Sequence, residues 1–137
     1  MQKQELHKGL NIISCEEEDS KIISLLKWAN NLAIANKVLL ISWEYSSAKL
    51  QQYFNELGEH KNIQLNTDNQ FEYLDASSFV AIFDLIEKGK YSIVFFDSIY
   101  HSSKNHICDN HYAAGFATIN TLTFLANKLD ITLILTN

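Results

Sequence analysis

The sequence contains no proline, four glycines and two cysteines in 137 residues. Proline and glycine are the residues that most readily interrupt helices and strands, so their scarcity predicts long regular elements and few structured loops. The two cysteines, Cys15 and Cys108, could form one disulfide, but a cytoplasmic protein with a full hydrophobic core seldom needs one, and we expect both to be free, partly buried thiols.

Long apolar segments and an excess of positive charge are also missing. No run approaches the roughly 20 apolar residues that a membrane-spanning helix requires, and residues 1–8 lack the apolar centre of a secretory signal. With 47% hydrophobic residues, 20% charged residues and a formal net charge of -5, the composition is that of a globular protein and argues against broad binding to nucleic acid. We expect one cytoplasmic domain over residues 1–137, without membrane insertion.

Short, nearly continuous apolar runs recur along the chain. Runs of this kind are typical of strands that are buried on both faces of a sheet. The four clearest are residues 10–14, 37–43, 91–97 and 131–136, and a weaker fifth lies at residues 62–65.

Between these runs, apolar residues recur at helical spacing. The predicted helices cover residues 20–35, 47–57, 77–88 and about 111–129. Gly58 and Gly89 follow two of the predicted helix ends, where a left-handed residue commonly ends a helix. Alternation of strand and helix with short links predicts parallel pairing and right-handed crossovers. The predicted fold is therefore α/β, a three-layer sandwich with a parallel sheet of about five strands.

The loop after the first predicted strand is unusual because it lacks glycine and carries four consecutive acids, Glu16-Glu17-Glu18-Asp19. A phosphate-binding loop needs glycines so that backbone N–H groups can close around the anion, and it uses the positive end of the following helix. Four carboxylates oppose the positive potential at that end of the helix. The sequence therefore predicts that this loop does not bind phosphate tightly.

Three residues nevertheless stand where nucleotide chemistry would need them. Lys21 follows the loop, where a lysine would reach the terminal phosphates, or is a surface lysine of a first helical turn. Asp97 ends a buried strand, where it would hold Mg²⁺ through water or cap the loop beginning at Ser98. Glu44 follows the neighbouring strand, where it would polarise a water molecule or remain a solvated loop acid.

The segments GLNIIS, KVLLISWEYSSAKLQQYF, YSIVFFDSIY and LANKLDITLILTN together resemble the RecA-like ATPase core. The similarity is strongest to the branch of DnaB-type replicative helicases and of KaiC and RadA-like proteins, and it covers nearly the whole chain. The resemblance implies that Glu44 matches the catalytic glutamate, Asp97 the Walker B aspartate and Asn137 the polar sensor.

The Walker A motif of that family, G-x-x-x-x-G-K-[ST], falls on residues 15–22 and is degenerate here. Lys21 agrees with it, whereas Cys15 and Ser20 replace both glycines and Ile22 replaces the hydroxyl that binds Mg²⁺. One pair of like charges at 4 Å costs about 4 kcal/mol at an effective dielectric constant near 20. We therefore expect no tight binding of ATP and Mg²⁺ and no turnover.

The resemblance leads to two functional hypotheses. The first is a non-catalytic module that acts by protein contact, with another RecA-fold protein or a larger assembly as its partner. The second is an ATP-binding or ATPase domain that uses Lys21, Glu44 and Asp97 with Mg²⁺. Family members continue beyond the position of Asn137 into DNA-binding loops and an arginine finger, so we do not expect unwinding by this segment on its own. A monomer, a dimer and a small ring are all compatible with the sequence.

A third hypothesis concerns the loop after Asp97, which is rich in metal-ligand residue types: His101, His106, Cys108, Asp109 and His111. Their spacing matches no standard zinc pattern, and we assign no metal to it. The alternative to a metal or small-ligand sensor is a polar loop at the edge of the sheet. Aromatic residues predicted near the same edge are either packing residues or a stacking platform for bases, namely Trp43, Tyr45, Tyr100 and Tyr112.

Overall fold

A computed structural model describes residues 6–13, 18–42, 45, 47–58, 62–66, 76–97 and 111–136. These residues form five strands: β1 (Gly9–Ile13), β2 (Val38–Ser42), β3 (Ile63–Asn66), β4 (Ile93–Asp97) and β5 (Thr132–Thr136). They also form four helices: α1 (Glu18–Leu32), α2 (Ser47–Leu57), α3 (Ala76–Gly89) and α4 (His111–Leu129). The order along the chain alternates strand and helix, as the hydrophobic pattern predicts.

The five strands make one all-parallel sheet in the order β1-β5-β4-β2-β3. The predicted α/β three-layer sandwich is confirmed, since two helices cover each face of this sheet. The strands are nearly continuous apolar runs because both of their faces are buried, which explains why period-2 alternation is absent from the sequence.

The two faces of the sheet have separate cores. On one face, α3 and α4 pack over the odd-numbered positions of β2, whereas on the other face α1 and α2 pack over the even-numbered positions. In the second core, the ring of Trp28 meets the edge of Phe95 at a centroid distance of 5.6 Å and an interplanar angle of 78°. This edge-to-face geometry is favourable for aromatic pairs and fixes α1 against the central strand β4.

The boundaries of α1 differ from the prediction of residues 20–35. The helix begins at Glu18, two residues before the predicted start. It ends at Leu32, whose carbonyl accepts a 2.9 Å hydrogen bond from the side-chain amide of Asn36 and a longer one from the backbone N–H of Ala35. These local contacts satisfy the last carbonyls and end the helix.

The prediction for Gly58 is confirmed, whereas that for Gly89 is wrong. Gly58 follows α2 with a φ of 80°. Gly89 is the last residue of α3, and the left-handed residue is Lys90, with a φ of 55°. The N–H of Tyr91 donates to the carbonyl of Ile86, which completes a Schellman ending.

Gly89 is required for a different reason. A Cβ placed on this residue would lie 2.2 Å from Cε2 of Tyr91, so the aromatic ring occupies the space of the missing side chain. The same ring lies under the ammonium group of Lys37, whose Nζ is 4.9 Å from the ring centroid and donates to the Gly89 carbonyl at 2.6 Å. Glycine is therefore selected here by packing rather than by backbone conformation.

No helix within the described part of the chain is both long and apolar enough to cross a membrane.

Candidate site at the carboxyl edge of the sheet

The register of the four strands other than β3 brings their last residues into one row at the carboxyl edge of the sheet. Ile13 pairs with Thr136, Thr136 pairs with Asp97, and Asp97 pairs with Ser42. Ligands of open α/β sheets bind outside this edge, so we expect a functional site of this fold to lie at the row.

The carboxylate of Asp97 is the centre of this row. Its side chain is completely buried. Oδ2 accepts a 3.0 Å hydrogen bond from the hydroxyl of Ser42, and Oδ1 accepts a 2.9 Å hydrogen bond from the hydroxyl of Thr136. Both donors come from the strands that flank β4, so one side chain ties three neighbouring strands together.

The chain that follows β2 is linked to the same group. The backbone N–H of Tyr45 donates to the hydroxyl oxygen of Ser42 at 3.2 Å, while that hydroxyl donates to Asp97. The ring of Tyr45 packs against the core that contains α1 and α2, and Lys49 lies 5.6 Å above it. Tyr45 is therefore half-buried and held by packing, which was one of the two interpretations of its aromatic ring.

The chemistry available to Asp97 follows from these contacts. A buried carboxylate is tolerated when hydrogen-bond donors replace the water that it loses. Here each oxygen receives a hydroxyl from a neighbouring strand. Any cation or water bound by Asp97 would have to share these oxygens with Ser42 and Thr136.

The structure describes the other candidate residues only in part. Lys21 lies in the first turn of α1, three residues after Glu18, and its side chain lies outside what the structure describes. Glu44 and Asn137 also lie outside the described residues, so their match to the catalytic glutamate and the polar sensor stays a prediction. The row at the sheet edge is the part of the predicted site that the structure brings together.

Most of the histidine-rich loop also lies outside the described residues. Its residues 101, 106, 108 and 109 lie outside the described residues, as do the two cysteines. His111 begins α4, but its side chain is not described. Within the described ranges, no group of three or more His, Cys, Asp or Glu side chains is arranged to hold a metal ion.

The first two residues of α1 are acidic in sequence, namely Glu18 and Asp19. The positive end of a helix dipole attracts anions within the first turn. The side chains of both residues lie outside what the structure describes, so their predicted opposition to a phosphate stays a prediction.

Ser42 and Thr136 are the site residues that the sequence reasoning missed. Each is buried and is the last residue of its strand. The residues before Ser42 in β2 are all apolar, and those before Thr136 in β5 are apolar except the first. A hydroxyl residue at the end of a buried apolar run needs a hydrogen-bond partner. That requirement, together with the parallel alignment of the strand ends, was the signal available in the sequence.

Sequence comparisons give no family assignment, because no protein-family model matches the chain and no curated protein matches it.

Proposed function

We propose that this domain is a non-catalytic relative of the RecA-like ATPases that acts through contact with another protein, as an accessory or regulator of a larger assembly. The observation that carries the proposal is the acidic first turn of α1. Glu18 and Asp19 begin the helix whose N-terminus the resemblance would require to be unopposed, and Cys15 and Ser20 replace the two glycines of the motif.

The contacts of Asp97 support the same interpretation. In a working site the Walker B carboxylate serves Mg²⁺ and its water. In this protein both oxygens of Asp97 accept hydroxyl hydrogen bonds within the sheet. The carboxylate thus has a role in holding the strands together that requires no nucleotide.

The amino-acid composition adds an independent argument. Hydrolysis in RecA-like assemblies is completed by an arginine finger, a group that raises turnover by about 10³ to 10⁵ in related phosphoryl-transfer enzymes. The sequence contains no arginine, since all eleven of its basic residues other than histidine are lysines. A second copy of this segment therefore has no arginine finger to offer.

Calorimetric titration with ATP and Mg²⁺ at low salt tests the proposal. We expect no saturable heat up to millimolar nucleotide. Lys21→Ala is the diagnostic variant, and Lys27→Ala is its matched control because Lys27 is an exposed lysine of the same helix. Saturable, Mg²⁺-dependent heat that Lys21→Ala abolishes and Lys27→Ala preserves would overturn the proposal.

That contrary result would establish the second candidate function, a nucleotide-binding or ATPase domain. The observation that supports this candidate is the strand register, which aligns Asp97 with Ile13, the last residue of β1, across β5. Glu44 would then be the next residue to replace, because turnover without it should stop while binding persists.

The nucleotide titration does not test the hypothesis of a metal site in the histidine-rich loop. A zinc assay of the purified protein and of His106→Ala is the direct test of that hypothesis.

A further inference from the structure

The sheet has two edge strands, β1 and β3, and β1 is the more apolar of them. The N–H of Gly9 donates to the carbonyl of Ile131 at 2.9 Å, which shows that this residue directs its backbone groups towards β5. Backbone direction alternates along a parallel strand. The N–H and C=O groups of Leu10 and Ile12 therefore point away from the sheet, and no described strand pairs with them.

Strand β1 lacks the features that usually protect an edge. Its sequence, GLNII, contains no charge and no proline, and the side chain of Ile12 is 49% exposed. Exposed edges are normally blocked by charged residues, proline or a bulge. On β3, by contrast, the exposed side chain is Gln64, a polar residue that has another interaction.

We propose that β1 is a self-association edge, at which it pairs in antiparallel orientation with β1 of a second copy of this chain. The two-fold axis passes beside Asn11, so that Leu10 of each copy faces Ile12 of the other. The two five-stranded sheets then form one continuous sheet. This proposal goes beyond the proposed function and does not depend on whether nucleotide binds.

The hydrogen-bond groups of β1 fit this register. Leu10 and Ile12 stand symmetrically on either side of Asn11, and each offers one outward donor and one outward acceptor. In an antiparallel pair, two opposite residues exchange both N–H···O=C bonds. With the axis at Asn11, every outward group of Leu10 and Ile12 in both copies finds a partner, which is the self-complementarity that an isologous interface requires.

The charges at the two ends of β1 favour a second copy in antiparallel orientation. Lys8 immediately precedes the strand, and its exposed ammonium already pairs with Asp130 at 3.5 Å, so it leaves little free positive charge at that end. In the sequence, the acidic run Glu16-Glu17-Glu18-Asp19 follows the strand. Antiparallel pairing keeps the acidic runs of the two copies at opposite ends of the joint, whereas parallel pairing would bring them to the same end, where like charges repel.

The side chains also suit pairing at this edge. Leu10 packs partly against the core formed with α3 and α4, and Ile12 lies on the same face two residues further on. Across the axis, Ile12 would contact Leu10 of the second copy. This cross-strand pair covers the apolar surface that Ile12 exposes in a single chain.

Sedimentation of the 137-residue protein with rising concentration tests the association. We expect a monomer–dimer equilibrium that Ile12→Lys shifts to the monomer. The matched control is Ile34→Lys, which adds the same charge at another exposed isoleucine, 71% exposed in the turn after α1. A wild-type protein that remains monomeric at millimolar concentration, or a dimer that resists Ile12→Lys, would overturn the proposal, as would equal loss of the dimer in both variants.

Amide hydrogen exchange of the wild-type protein locates the interface without any substitution. We expect the N–H groups of Leu10 and Ile12 to exchange at least about tenfold more slowly at dimeric than at monomeric concentrations, a change of about 1.4 kcal/mol in opening free energy. The N–H of Asn11, which faces β5, serves as the internal reference. Concentration-dependent protection confined to β3 or to a helix face would place the contact elsewhere and reject the proposal.

Discussion

The hydroxyl of Thr136 donates a 2.9 Å hydrogen bond to Oδ1 of Asp97 on the neighbouring strand, and both side chains are fully buried. Because water does not reach this carboxylate, its stability in the folded protein depends on donors supplied by the chain. Thr136 supplies one such donor and Ser42 supplies another. The polar row at the carboxyl edge therefore contributes to the stability of the sheet itself.

We predict that Thr136→Val lowers the free energy of unfolding by about 2 kcal/mol, because it removes a buried hydrogen bond to a charged group while keeping the shape of the side chain. The measurement is equilibrium unfolding in urea. Thr132→Val is the matched control, since Thr132 lies on the same face of the same strand but is only half-buried. A control that loses as much stability as Thr136→Val would show that the effect belongs to threonine in this strand rather than to the contact with Asp97.

The fold was predictable because its signals are local and agree with one another. Four continuous apolar runs of the right length, separated by segments of helical period, specify parallel strands and their covering helices. The order of strands was not predicted, since pairing between β1 and β5 joins residues more than 100 positions apart and leaves no local pattern. Boundaries shifted by a few residues where side chains such as Asn36 end a helix.

The site was predictable only in outline. Asp97 was visible as an acid at the end of an apolar strand, but its partners Ser42 and Thr136 are ordinary residues whose role arises from the register between strands. The prediction that Gly89 is a left-handed cap was wrong because it used only local rules for helix ends. Glycine is needed there because the ring of Tyr91 fills the space of a side chain, and those rules do not give the position of that ring.

Gly89→Ala should therefore destabilise the protein, although replacing a helical glycine by alanine ordinarily stabilises a helix by about 0.5–1 kcal/mol. The new Cβ would lie 2.2 Å from Tyr91 Cε2, and moving the buried ring costs about 1–3 kcal/mol. Urea unfolding of Gly89→Ala gives the sign directly. In the background of Tyr91→Leu the same substitution should become neutral or stabilising, and persistence of the full penalty there would contradict the steric explanation.

Lys90→Gly should raise the free energy of unfolding by about 1 kcal/mol, because a side chain in the left-handed region is strained and glycine is not. Lys90 has a φ of 55° after the end of α3. Lys88→Gly, two residues earlier inside the helix, is the matched control and should destabilise by about 1 kcal/mol. Thermal unfolding of the two variants distinguishes the positions, since a general effect of removing a lysine would move both in the same direction.

Tyr91 gives the protein a predicted loss of stability at high pH. Burial raises the pKa of its phenol above the ordinary value of 10.0, because the charged phenolate is poorly solvated at this position. Below pH 10 the phenol is protonated in both the folded and the unfolded chain, so its contribution to stability is constant. As the pH rises past 10, the unfolded chain releases this proton first, and stability falls until the folded group also ionises.

We expect the free energy of unfolding of the wild-type protein to decline more steeply in this range than that of Tyr91→Phe, which has no phenolic proton to lose. Urea unfolding at a series of alkaline pH values measures both slopes, and identical slopes would show that the phenol of Tyr91 ionises equally readily in the folded protein.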